Sequence, residues 1–211
     1  IKFIREKFNF YIKIYMKKLL SKLAKVTKIL IHAKYKFKLP NKKNTIVLDL
    51  DNSSHFIKLF NQKKNFFLDT RYNELYLLIL VYSVFKLFLN YKKTLLQHYI
   101  INCIKFVNPN NIVTFTDNNI FFLSLKNIFI NKKLIICQYA WLTRLTFDDM
   151  YLKKKNTEKF NVDYVCIWGG NSKNFYNQFI NTKYLITGSI KNNFFEYNEN
   201  LQRDSIILSR N

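Results

Sequence analysis

Apolar residues at Ile1, Ile4, Phe8, Tyr11, Tyr15, Leu19, Leu23, Val26 and Leu30 recur at steps of three and four, the spacing of one helical face. No Gly or Pro interrupts the run before Lys34, and Lys2, Arg5, Lys13, Lys17, Lys18, Lys22, Lys25 and Lys28 fill its other faces. Beyond Pro40 and the polar run Asn41 to Asn44 the pattern changes to short apolar runs alternating with longer helical ones. Strands are predicted over residues 45–50, 65–68, 112–116, 133–137, 163–168, 183–187 and 205–208, and helices near 53–60, 74–89, 92–107, 120–128 and 171–180. Strands apolar on both faces and separated by helices predict a parallel sheet covered on both sides. The expected class is therefore α/β, a Rossmann-like, doubly wound, mostly parallel sheet preceded by a basic amphipathic helical segment. Residues 1–40 form that segment in this reading and 41–200 the Rossmann-like domain. No repeat with a period of 20–50 residues is evident.

Three features adjust this picture. The longest apolar stretch, Leu75 to Leu89, spans 15 residues and contains Lys86, short of the roughly 20 residues that cross a bilayer; it reads as a buried helix. Cys103, Cys137 and Cys166 are far apart in sequence and set in apolar runs, so they read as core residues of a protein in a reducing cytoplasm, with neither a disulfide framework nor a zinc spacing. The chain opens at Ile1 without a secretory leader pattern, and it reads as a fragment.

The formal net charge is +22, from 35 Lys and Arg against 13 Asp and Glu. Lys supplies 30 of the basic residues and Asn counts 27, a skew typical of AT-rich coding, which halves the weight of the charge as a sign of a polyanion partner. Residues 1–43 hold fourteen basic residues against the single acid Glu6. A basic amphipathic helix over residues 1–34 fits an anionic membrane surface; the alternative is a helix packed on the domain with Lys facing water.

Ligands of open parallel sheets bind beyond the carboxyl ends of the strands, and those positions are polar here. The first predicted strand runs into Asp49, Asp51, Asn52 and Ser53, the second into Asp69, Thr70 and Arg71, and the third into Asp117, Asn118 and Asn119. Gln138 follows the fourth, and Gly188, Ser189, Lys191, Asn192 and Asn193 the sixth. Singly, such residues are commonly helix N-caps; together they mark a candidate crevice. The expected long loop Gln138 to Asn161 adds Trp141, suited to stacking on a sugar ring, and Arg144, suited to clamping a phosphate. With Gly169, Gly170 and Gly188 as the three glycines, neither a P-loop nor a dinucleotide fingerprint is present. His32, His55 and His98 lack ligand partners at metal spacing, no nucleophile elbow occurs, and no metal or cofactor is expected.

The run FKLPNKKNTIVLDLDNS, followed by DTRYNELYLLIL, FVNPNNIVTFTDNNIFFLSLK, KLIICQYAW, VDYVCIWG and YLITGSIKNNFF, resembles the bacterial surface carbohydrate biosynthesis proteins, a glycosyltransferase-like family of lipopolysaccharide and capsule loci. The resemblance covers about residues 37–208 and rests most on Asp117, Asn118 and Asn119, and on Gly188 with Lys191, Asn192, Asn193 and Phe194. It implies a GT-B-like arrangement in which residues 45–195 face the acceptor. It also implies that residues 201–211 open a second domain, otherwise missing here, that binds the nucleotide-sugar donor. The family's glutamine, asparagine, glycine run is here Gln138, Tyr139 and Ala140, so only Gln138 carries over. Under this resemblance Asp117 is the catalytic base or acceptor-orienting group and Arg144 or Lys191 an anion contact.

The expected function is thus sugar transfer from a nucleotide donor to a glycan or lipid-linked acceptor, in the cytoplasm or at the cytoplasmic face of the inner membrane. Two alternatives stand beside it: a basic nucleic-acid-binding protein of ribosomal or organellar type, disfavoured by carboxylates at the strand ends, and a non-enzymatic remnant kept for its fold.

Overall fold

A computed structural model describes residues 31, 33–48, 60–61, 63–68, 74–89, 92–138 and 158–189. The first described elements are β1 (Lys34–Lys36), β2 (Thr45–Leu48), β3 (Asn65–Leu68), β4 (Glu74–Tyr76), α1 (Leu77–Leu89), α2 (Leu95–Val107) and β5 (Asn111–Thr114). They are followed by α3 (Ile120–Leu123), α4 (Leu125–Ile128), β6 (Lys133–Cys137), β7 (Phe160–Ile167), α5 (Gly170–Tyr176) and β8 (Ile180–Ile186). Six strands form one sheet in the order β3-β2-β5-β6-β7-β8, and β1 and β4 form a separate pair. The pairings β2 with β3, β6 with β7, β7 with β8 and β1 with β4 are all parallel. Parallel neighbours need a crossover between them, and the alternation of short apolar runs with helical ones supplies it. The fold is α/β, with a mostly parallel sheet flanked by helices, as the hydrophobic pattern predicted.

The chain divides into two compact units, residues 1–54 with 60–113 and residues 55–59 with 114–211. In the first unit, β2 is buried at all four positions, which is why its sequence TIVL carries almost no polarity. The loops that enter β2 and β5 are stapled: the Asn44 carbonyl accepts the Asn110 and Asn111 amides at 2.8 and 3.1 Å, and the Asn110 side chain donates to Asn44 Oδ1 at 2.7 Å. Helix α2 starts at a capping box, with Thr94 Oγ1 accepting the Gln97 amide at 3.3 Å and Gln97 Oε1 accepting the Thr94 amide at 3.0 Å. Asn108, at φ 49°, ends it in the left-handed conformation that Asn tolerates. The α1–α2 contact holds a buried polar pair, in which Asn102 Nδ2 donates to Ser83 Oγ at 2.9 Å and Ser83 Oγ donates to the Ile79 carbonyl at 2.6 Å.

In the second unit, Asp163 links three segments. Its Oδ1 accepts the Lys126 ammonium at 2.9 Å and its Oδ2 the Leu134 amide at 2.8 Å, while Lys126 Nζ also donates to the Lys132 carbonyl at 2.8 Å. Burial alone would raise the Asp163 carboxyl; the Lys126 ammonium and the Leu134 amide outweigh it and hold the group below its ordinary value.

Several boundaries differ from the expected ones for physical reasons. Residues 74–76 were expected as the first turn of a helix, but they pair with β1 in register Lys34 to Glu74, helped by an exposed Lys36–Glu74 ion pair. The expected helix over 120–128 is two turns broken at Ser124, whose hydroxyl donates to the Phe121 carbonyl at 2.8 Å. The expected loop to Asn161 ends earlier, because β7 begins at Phe160. Of the segment expected to be helical over residues 1–40, only Ile31 and residues 33–40 are described, and there Lys34–Lys36 form strand β1 instead, because they pair with Glu74–Tyr76. The helix near 53–60, apart from Phe60, and the strand over 205–208 lie outside the described residues.

Candidate functional site

In the second unit, polar or aromatic residues stand just beyond the carboxyl ends of strands: Asp117 three residues beyond β5, Gln138 directly after β6 and Trp168 directly after β7. Asp117 is 3% exposed, and its Oδ2 accepts the hydroxyl of Tyr176, on the last turn of α5, at 2.6 Å. The Tyr176 hydroxyl is held neutral, first by burial and then by the Asp117 carboxylate. The pair fastens α5 to the segment after β5.

Gln138 binds Trp168 twice. Its Oε1 accepts the Trp168 backbone amide at 2.9 Å and its carbonyl accepts the indole Nε1–H at 3.0 Å, while the Gln138 amide donates to the Cys166 carbonyl at 2.9 Å. A fixed turn results, with the indole held beside the end of β6. Next to it lies an open depression of about 340 Å³ lined by Trp168, Gly169, Gly170, Asn171 and Ser172. The Thr187 amide donates to the Ile167 carbonyl at 2.9 Å, which extends the edge toward Gly188. That glycine sits at φ 69°, a conformation that L side chains rarely adopt, so the turn after β8 requires it.

Directly beneath this edge the register of β6 and β7 sets Cys137 opposite Cys166. Facing Cys166, and then burial, raises the Cys137 thiol, and facing Cys137 lowers the Cys166 thiol. Asp117 adds to the rise at Cys137, so carboxylate, thiols and phenol form one electrostatic cluster.

The sequence-derived candidates thus fall into three groups. Asp117 and Gln138 sit in the cluster, each with a structural hydrogen bond of its own. Asn118 and Asn119 are exposed beside it, and Asn119 caps α3 by accepting the Phe121 amide at 2.9 Å; Gly188 forms the adjacent edge. Asp51, Asn52, Arg71, Trp141, Arg144, Lys191, Asn192 and Asn193 lie outside the described residues. Sequence reasoning missed Tyr176, Trp168 and the Cys137–Cys166 pairing. Nothing in linear spacing marks contacts between residues 59 or 30 positions apart; the one available signal was the presence of Cys137 and Cys166 in two consecutive predicted strands. Among the described residues no group of three or more His, Cys, Asp or Glu is placed to hold a metal ion, and no helix is long and apolar enough to cross a membrane.

Fold and cluster together define an α/β protein with a polar edge at the carboxyl ends of parallel strands, the usual place for a ligand in this architecture. No family model matches the chain, and neither a curated protein nor a solved structure is similar to it.

Proposed function

We propose that this chain is a glycosyltransferase-like protein of surface-carbohydrate biosynthesis, contributing the acceptor side of a GT-B-like cleft, with the nucleotide-sugar donor held by a second domain. The observation that carries the reading is the convergence of Asp117, Gln138 and Trp168 on one carboxyl-terminal edge of a parallel sheet, with an open depression beside the indole. A fixed indole next to amide and hydroxyl side chains suits a sugar ring, whose C–H face stacks on an aromatic and whose hydroxyls need donors and acceptors.

In this reading Asp117 orients the acceptor. It is too enclosed to meet bulk water, and its carboxylate, polarised by the Tyr176 hydroxyl, fixes the segment that presents Asn118 and Asn119 to solvent. Residues 1–34, basic and periodically apolar, bring the protein to the cytoplasmic face of the inner membrane, where lipid-linked acceptors reside.

The test is binding of the purified chain to an array of lipopolysaccharide-core and capsule-type oligosaccharides. Retention of such glycans, weakened roughly tenfold by Asn118→Ala as expected for one lost hydrogen bond, supports the proposal. Retention of no glycan, with salt-sensitive RNA binding in its place, overturns it in favour of a nucleic-acid role.

A further inference from the structure

Helix α1 is apolar nearly all round, yet it buries only Ile79 and Ser83. Leu78, Val81, Tyr82, Phe85, Phe88 and Leu89 are 55, 60, 41, 59, 82 and 65% exposed. At 3.6 residues per turn these six fall within one arc of about 120°. Phe106 of α2, 37% exposed, extends the stripe through an edge-on contact with Tyr82 at 6.2 Å between ring centroids. A contiguous apolar surface on the order of several hundred Å² marks an interaction site on a soluble chain.

Charge selects the occupant. Between Glu74 and Asp117 the chain has no acidic residue, while Lys86, Lys92, Lys93 and Lys105 are all basic. Lys86 lies 5.4 Å from the Tyr82 ring centroid, on the margin of the stripe. A second copy of a chain with net charge +22 would be repelled from this face, whereas an anionic bilayer would take the apolar side chains into its acyl boundary and Lys86, at the margin of the stripe, into its headgroups. We propose that the exposed face of α1 is a membrane-docking surface for anionic lipid. It lies on a different segment of the sequence from residues 1–34 and is independent of any sugar-transfer activity.

Phe88→Trp and the double variant Phe85→Ser/Phe88→Ser, each in the full chain, test the proposal with vesicles of phosphatidylcholine containing about one third phosphatidylserine. In Phe88→Trp, brominated acyl chains in the vesicles are expected to quench fluorescence beyond the level seen for the native Trp141 and Trp168. The double variant, at solvent-exposed positions and with an unchanged thermal melt, is expected to bind these vesicles at least tenfold more weakly. Three results would each overturn the assignment: vesicle binding by Phe88→Trp without added quenching, equal vesicle binding by the double variant, or a lipid-free dimer that the double variant dissociates.

Discussion

Helices α1 and α2 have the same length, thirteen residues, and they pack on each other, yet they behave as opposites. The more apolar of the two, LLILVYSVFKLFL, buries two residues. The more polar one, LLQHYIINCIKFV, buries eight, including His98 and Asn102. Hydrophobicity therefore fails to rank their burial, because burial depends on what surrounds a helix. Helix α2 carries the buried neighbours Tyr99, Cys103 and Ile104 on several of its faces, and the Tyr99 hydroxyl also accepts the Tyr76 amide at 2.9 Å. The surroundings are dry enough to push the Cys103 thiol up to about 12. Among the described residues, helix α1 has the apolar surface of a core element without the cover of one, and such a mismatch points to a partner more reliably than any single exposed Leu.

The largest expected contrast comes from truncating each helix. Ile104→Ala in α2 should cost about 3–4 kcal/mol of unfolding free energy, since a fully buried side chain leaves a cavity. Phe88→Ala in α1 should change stability by less than about 0.5 kcal/mol in lipid-free buffer. Chemical denaturation of the two variants side by side measures both, and similar losses would show that α1 is covered in solution.

The polar contact between the helices comes next. Asn102→Ala removes the donor to Ser83 in a site where both residues are buried, and it should cost about 2 kcal/mol, read from the denaturation midpoint. A loss near zero would mean that apolar packing alone holds α1 on α2. Thr94→Ala, which breaks the capping box of α2, should cost about 1 kcal/mol, whereas no comparable cap exists to remove from α1, which continues directly from β4.

The last contrast lies outside both helices and serves as a control. The Asp163 carboxyl is lower in the folded state than its ordinary 3.8, so the stability it adds is fully present above that value and disappears as the pH falls through the lower folded value. Lys126→Met should reduce stability at pH 7 by about 1 kcal/mol and flatten this acid limb of a pH-dependent melt. The difference between the α1 and α2 variants should persist at every pH from 5 to 7.

The two helices also show how far sequence reading reached. Periodicity placed both, but it began α1 three residues early, because Glu74, Leu75 and Tyr76 have a strand partner in Lys34 to Lys36 that no local pattern reveals. It began α2 early as well, although Thr94 and Gln97 carry the spacing of a capping box. The same reading took Leu75 to Leu89 for a buried helix; the helix runs over Leu77–Leu89, and among the described residues most of its positions are exposed. At the candidate site, Asp117 and Gln138 were legible because strand ends attract attention in a parallel sheet. Their partners Tyr176 and Trp168 were not, since each bond joins side chains from separate strand and helix units.

The amino-acid sequence by itself determined the α/β class, the six strands of the main sheet and the polarity of their carboxyl ends, because apolar periodicity and turn chemistry are local properties of the chain. The tertiary structure alone decided the strand order, the opposition of Cys137 to Cys166, the Tyr176 bond to Asp117 and the exposure of α1. Each of these depends on which distant segment arrives next to which, and side-chain packing settles that only when the whole chain is folded.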